Sequence, residues 1–187
     1  MPNIADAKIA ILATDGFEQS ELVQPLEELR KAGATVHVVS IKSGPIKGWD
    51  EDRWGREIPV DRQLSDVTVA DYDALVLPGG QINPDKLRAE ENVVAFVREF
   101  YNSKKTLAAI CHAPWLLIEA GIVKGRDVTS FKSIRTDVVN AGGNWHDAEV
   151  VTDQALITSR NPNDLPAFIA KIVEEVEEER HLDRQAA

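Results

Sequence analysis

Cysteine occurs once in the 187 residues, at Cys111, inside Ala108-Ala109-Ile110-Cys111-His112-Ala113-Pro114. A short apolar run ends at the sulfur and a helix-starting Pro follows three residues later. That is the layout of a nucleophile elbow, in which a strained strand-to-helix turn lifts the nucleophile above a sheet. Such a turn needs small residues two before and two after the nucleophile, and Ala109 and Ala113 supply them. A helix N-terminus beneath the sulfur would lower the thiol pKa and leave thiolate at neutral pH. The plain alternative is a small buried hydrophobe, which lone cysteines often are.

Three other groups could serve that sulfur. His112 is a candidate general base, and its backbone N–H is a candidate oxyanion donor, as is usual for the residue after an elbow nucleophile. Gly79-Gly80 offers the second donor, because glycine lets backbone approach a ligand closely. Glu18 stands at a helix start, where a carboxylate is favoured. Beside a thiolate it would be partly protonated and able to move a proton. Taken singly, each has a plain reading: an exposed first-turn histidine, a turn, a helix-start charge. His37 reads as a satisfied strand residue, and Trp145 and His146 as weak candidates for a crevice edge. Four scattered His and one Cys have no metal-ligand spacing. No phosphate-loop or dinucleotide fingerprint is present, so no cofactor is expected.

Parallel strands would bring these groups together. Residues 8–13 (KIAILA), 35–40 (TVHVVS), 74–77 (ALVL) and 106–110 (TLAAI) are short, apolar and β-branched, and read as buried strands. Helical spacing marks 18–32, 92–101, 113–120 and, more weakly, 133–141. Pro25 should kink the first of these or begin a second helical segment. The clearest helix begins near Leu165 and carries Phe168, Ile169, Ile172, Val173 and Val176, with a solvated acidic end expected from about Glu177 to the last residue. Residues 150–152 and 156–159 read as a strand pair turning at Asp153-Gln154. Residues 44–61, with Trp49 and Trp54, read as a hairpin or irregular excursion that sets substrate access, packs at an interface or lies on the surface. Alternating strands and helices imply a mostly parallel sheet covered on both faces. In such sheets ligands bind beyond the carboxyl ends of the strands. Asp15-Gly16-Phe17-Glu18, Pro78-Gly79-Gly80 and Cys111-His112 would then share one crevice.

Composition narrows the classes. The length suits one domain spanning residues 1–187. With 21 Lys+Arg against 31 Asp+Glu the net charge is −10, which argues against nucleic acid or an anionic membrane as the main partner. The apolar runs are far shorter than the roughly 20 residues of a membrane span. No leader segment is visible and one Cys forms no intrachain disulfide, so a cytoplasmic protein is the default expectation.

These residues resemble the ThiJ/PfpI superfamily, specifically its PfpI-type intracellular peptidase branch. The resemblance rests on Ala13-Thr14-Asp15-Gly16-Phe17-Glu18, Asp73-Ala74-Leu75-Val76-Leu77-Pro78-Gly79-Gly80, Ala109-Ile110-Cys111-His112-Ala113-Pro114, Ala141-Gly142-Gly143 and Val150-Val151-Thr152-Asp153. It implies a flavodoxin-like three-layer α/β/α sandwich, related to class I glutamine amidotransferase domains. It implies Cys111 as nucleophile, Glu18 as its carboxyl partner, and Gly80 with His112 as oxyanion donors. In the peptidase branch an acid from a neighbouring subunit completes a Cys-His-acid triad; here Asp85 holds that place, one residue further along. A homodimer or larger homo-oligomer is therefore implied. Three functions follow: a stress-response glyoxalase or deglycase acting on small aldehydes such as methylglyoxal or on glycation adducts; a cysteine peptidase or amidase with a peptide substrate; a non-enzymatic redox sensor or chaperone.

Overall fold

The computed structural model describes residues 3–178. In chain order the regular elements are β1 (Lys8–Leu12), β2 (Phe17–Glu18), α1 (Gln19–Lys31), β3 (Thr35–Ser40), β4 (Ile46–Asp50), β5 (Arg53–Ile58), β6 (Arg62–Gln63) and β7 (Ala74–Leu77). Then come α2 (Ile82–Arg88), α3 (Glu91–Asn102), β8 (Thr106–Ile110), α4 (Pro114–Glu119), β9 (Asp127–Val128) and α5 (Arg135–Asn140). The chain continues through β10 (Asn144–Trp145), β11 (Val150–Asp153), β12 (Leu156–Ser159) and α6 (Leu165–Glu177).

Seven strands form one sheet in the order β11-β12-β8-β7-β1-β3-β6. Only β11 runs antiparallel to its neighbour. The five central strands thus have the flavodoxin-like order, with β1 between its successors β3 and β7. Strand periodicity splits the interior in two. Ile9 and Ile11 face the cluster that holds Leu22, Leu26 and Leu29 of α1 and Phe168 and Ile172 of α6. Ala10 and Leu12 face the cluster formed with Val93, Val97 and Phe100 of α3 and Leu116 and Leu117 of α4. Alternate side chains of one strand point to opposite faces, so a sheet covered twice needs apolar residues on both, as β7 has throughout and β1 and β8 have after their first residues, Lys8 and Thr106.

Several sequence expectations change in detail. α1 is one continuous helix through Pro25, without a second segment. Pro25 removes only the N–H that would have closed on the Glu21 carbonyl, and its ring is buried. Helix α2 follows the double glycine directly, where sequence periodicity gave no element. Residues 44–61 form the β4–β5 hairpin, with Trp49 opposite Trp54. Its first strand also pairs in parallel with β2, placing Trp49 beside Glu18. The β11–β12 turn is centred on Gln154 and Ala155, both at positive φ, one residue later than expected. The acidic end expected from Glu177 lies, beyond Glu178, outside the described residues.

Candidate active site

β1, β7 and β8 end side by side, and their exits meet where the chain order reverses between β1 and β7. A cleft of about 410 Å³ opens there, lined by residues that include Gly16, Glu18, Gly80, Cys111 and His112. Cys111 has φ +66, in the left-handed region that non-glycine residues avoid. Its N–H donates to the Ser159 carbonyl at 3.0 Å and its carbonyl accepts from Phe131 N–H at 2.8 Å. Backbone bonds from β12 and from the segment before α5 therefore hold the strained turn in place.

The carboxyl partner of the sulfur is Glu21, not Glu18. Glu21 lies one turn into α1 and is fully buried. Its Oε2 accepts from Gly79 N–H at 2.8 Å, and its carboxyl is within hydrogen-bonding reach of the Cys111 thiol. Burial, reinforced by the nearby Glu18 charge, pushes its pKa up to about 8. Glu18 lines the same cleft nearer the mouth, half-buried, and takes a 3.4 Å hydrogen bond from Ser20 Oγ. Its pKa also rises, first from burial and then from Asp50 and Glu51. Glu21 left one trace in the sequence: it falls within the stripe of Leu22, Pro25, Leu26 and Leu29 that α1 buries. An ionisable residue inside an apolar stripe marks either a core defect or a site.

Burial also opposes the expected thiolate. The Cys111 thiol is pushed up, first by desolvation and then by the Glu21 charge. Hydrogen bonds from the Gly80 and His112 backbones oppose this and are outweighed. Burial thus disfavours charge on both the thiol and the carboxyl. The glycines enforce the closeness. A Cβ at Gly79 would stand 2.6 Å from Cys111 Cβ, Glu21 Oε2 and the Ile110 carbonyl. At Gly80, with φ +80, it would meet Glu18 N at 2.7 Å.

His112 is 4 % exposed, and burial lowers its pKa, so its ring is neutral. Nδ1 lies 3.2 Å from Cys111 Sγ, and Nε2 lies 3.1 Å from Ser133 Oγ. These contacts are compatible with a thiol donating to Nδ1 while Nε2–H donates to Ser133 Oγ. Phe131 stacks on the imidazole at 4.8 Å and fixes its plane. Neither Ser133 nor Phe131 was a sequence candidate: both follow β9, and only the tertiary fold brings Phe131 to the cleft and Ser133 to the imidazole. Asp85 is not at His112 within this chain. It lies on α2, exposed, and pairs with Arg88 at 2.7 Å. Arg88 in turn covers the Trp115 ring at 4.3 Å.

Trp145 and His146 do not line the cleft. Trp145 donates to Ser130 Oγ at 2.9 Å, and His146 pairs with Asp127 at 2.9 Å on the surface. Half-buried His37 bonds Tyr72 Oη at 3.1 Å, a satisfied strand residue as the sequence suggested. Among the described residues no three His, Cys, Asp or Glu side chains converge to hold a metal ion.

Comparison with known proteins identifies relatives of the whole fold. The model of the DJ-1/PfpI family matches residues 7–175. Protein/nucleic acid deglycase 2 of Escherichia coli is 47% identical over 163 residues, 86% of this chain and 92% of its own. YraA of Bacillus subtilis, named provisionally as a cysteine protease, is 42% identical over 162 residues, 86% of this chain and 93% of its own. Among solved structures, a two-domain Anabaena variabilis protein with DJ-1/ThiJ/PfpI-like and ferritin-like domains superposes with a TM-score of 0.87 at 34% identity. The match covers 97% of this chain and 52% of that one.

Proposed function

This chain belongs to the DJ-1/PfpI family, and from that premise we propose that it is a cofactor-free, cysteine-dependent deglycase and glyoxalase of carbonyl stress. One observation carries the reading: Glu21, Cys111 and His112 converge at the base of one cleft, with the Gly80 and His112 N–H groups directed at the sulfur. The names of the deglycase relatives agree with it.

The chemistry starts from a thiol. His112 Nδ1 takes the Cys111 proton as sulfur attacks an aldehyde carbon. With methylglyoxal the C–S bond forms, the carbonyl oxygen is protonated, and a hemithioacetal results. The proton on that carbon then passes to the adjacent ketone, giving a thioester of a 2-hydroxy acid. Glu21 suits this transfer, because a pKa of about 8 leaves both of its protonation states populated near neutrality. Water cleaves the thioester to lactate and restores the thiol. From a hemiaminal adduct, the carbon passes from nitrogen to sulfur, and His112 delivers the thiol proton to the departing amine. The later steps are the same. The Gly80 and His112 N–H groups stabilise each oxyanion.

The peptidase reading would use Asp85 to orient His112 Nε2 in place of Ser133. With Asp85 held by Arg88 within the chain, that carboxylate would come from another copy in a homodimer or larger homo-oligomer. A cytoplasmic location accords with carbonyl-stress work. Among the described residues no helix is long and apolar enough to cross a membrane.

The deciding experiment offers methylglyoxal, methylglyoxal-treated N-acetyl-lysine and a peptide amide to wild-type and Cys111→Ala protein. We expect lactate release from the first two, lost by at least about 100-fold in the variant. Equal consumption by both proteins, or turnover confined to the peptide, overturns the reading.

A further inference from the structure

The β4–β5 hairpin takes no part in the chemistry above, yet Trp49 and Glu51 line the cleft beside Glu18. It is built to hold them there. Trp49 packs edge-on against Trp54, with ring centres 5.4 Å apart. Its indole N–H donates to the Glu51 carbonyl at 2.8 Å. Glu51 sits at φ +55 to allow that turn. Glu18 lies opposite Trp49 in the β2–β4 register.

The wall so formed has one sign of charge. Glu18 and Glu51 line its mouth and the uncharged form of Glu21 its base, and among the described residues no Lys or Arg lines it. The imidazole in its lining, His112, is kept neutral by burial. The hairpin's arginines are turned to other acids, Arg53 to Asp52 and Arg56 to Glu27. Glu18 feels both Asp50 and Glu51 as repulsion. Deeper in the cleft, the buried Glu21 Oε1 has no hydrogen-bond partner among the described residues, a polar atom left for an incoming group. Carboxylates alternate with the aromatic faces of Trp49 and Phe131. Aromatic faces attract organic cations through the ring quadrupole.

We propose that Glu18, Trp49 and Glu51 select cationic substrates: the cleft takes carbonyl adducts carried on guanidinium side chains, which keep their charge, and disfavours adducts carried on phosphate- or carboxylate-bearing molecules. This rests on the deglycase reading and names its substrate class. Two fixed carboxylates attract a cation and repel a phosphate at the same mouth, and added salt weakens both effects.

Binding tests it independently of turnover. In Cys111→Ala protein, Trp fluorescence is titrated with N-acetyl-arginine amide, its neutral citrulline counterpart and GMP, in low and high salt. The expected order is arginine tighter than citrulline by about tenfold or more, with GMP weakest and the gap narrowing in salt. Adding Glu51→Gln should cut the arginine preference to about threefold or less. Glu51→Lys should favour GMP, and Trp49→Phe should remove most of the signal. Circular dichroism confirms that each variant is folded. Equal affinities for arginine and citrulline, no saturable signal with any ligand, or a preference unchanged by Glu51→Gln overturns the proposal. Charge selection without turnover overturns the deglycase reading instead.

Discussion

Burial opposes charge on both members of the Glu21–Cys111 pair, raising the carboxyl to about 8 and the thiol above its ordinary range. The carboxyl shift has a consequence for stability. Between its ordinary 4.5 and about 8, the unfolded chain has released the Glu21 proton while the folded chain keeps it. Stability therefore falls as pH rises through that window and levels off above it. Glu21→Gln removes this titration. Urea midpoints of wild type and variant should move apart between pH 5 and 8.5, with the variant gaining on the wild type as pH rises. At constant separation, Glu21 does not titrate in that window. Ser133 is a positioning residue, acting on the thiol only through His112 Nε2. Because it is solvent-exposed, Ser133→Ala should fold normally. Its kcat should drop by about tenfold with little change in KM, and Ser133→Thr should restore most of the loss. A fall in KM alone, or no rescue by Thr, would assign Ser133 another role.

The elements act by where they stop. β7 ends at Leu77, and Pro78-Gly79-Gly80 then threads between Cys111 and α1. The obstacles around Gly79 are backbone and buried atoms at 2.6 Å, which no side-chain rotation relieves. Gly79→Ala should cost about 1–3 kcal/mol in thermal or urea unfolding, and should also separate Glu21 from the sulfur and lower activity beyond the loss of folded protein. An unchanged midpoint would mean that the β7 exit is looser than its contacts indicate. The sequence made this strand end legible, since an apolar run into Pro-Gly-Gly has few readings. It also made the elbow at Cys111 legible. Choosing between Glu18 and Glu21 was beyond it. Both lie near the start of α1, and only the packed orientation of that helix turns Glu21 inward and leaves Glu18 at the mouth. Helix α2 escaped notice because its seven residues, Ile82 to Arg88, include Pro84 and bury little beyond Asn83, Pro84 and Leu87.

Over the whole molecule, the net charge of −10 repels polyanions, and the cleft lining repeats that sign locally. Fluorescence anisotropy with duplex DNA should show no saturable binding up to about 100 μM protein near 0.15 M salt. Tight, salt-sensitive binding would mean that a basic face dominates the surface. What the sequence determined by itself was the class of fold and the place of Cys111 at the turn that ends a central strand. Strand periods, helix periods and turn residues act over a few neighbours, so they can be read without knowing which strands pair. The tertiary structure alone decided the state of that cysteine and its company. Whether Cys111 rests as thiol or thiolate depends on how much water the assembled sheet and helices remove. Its partners, Glu21 of α1, Ser133 before α5 and Gly80 after β7, are distant in the chain and meet only where β1, β7 and β8 end together.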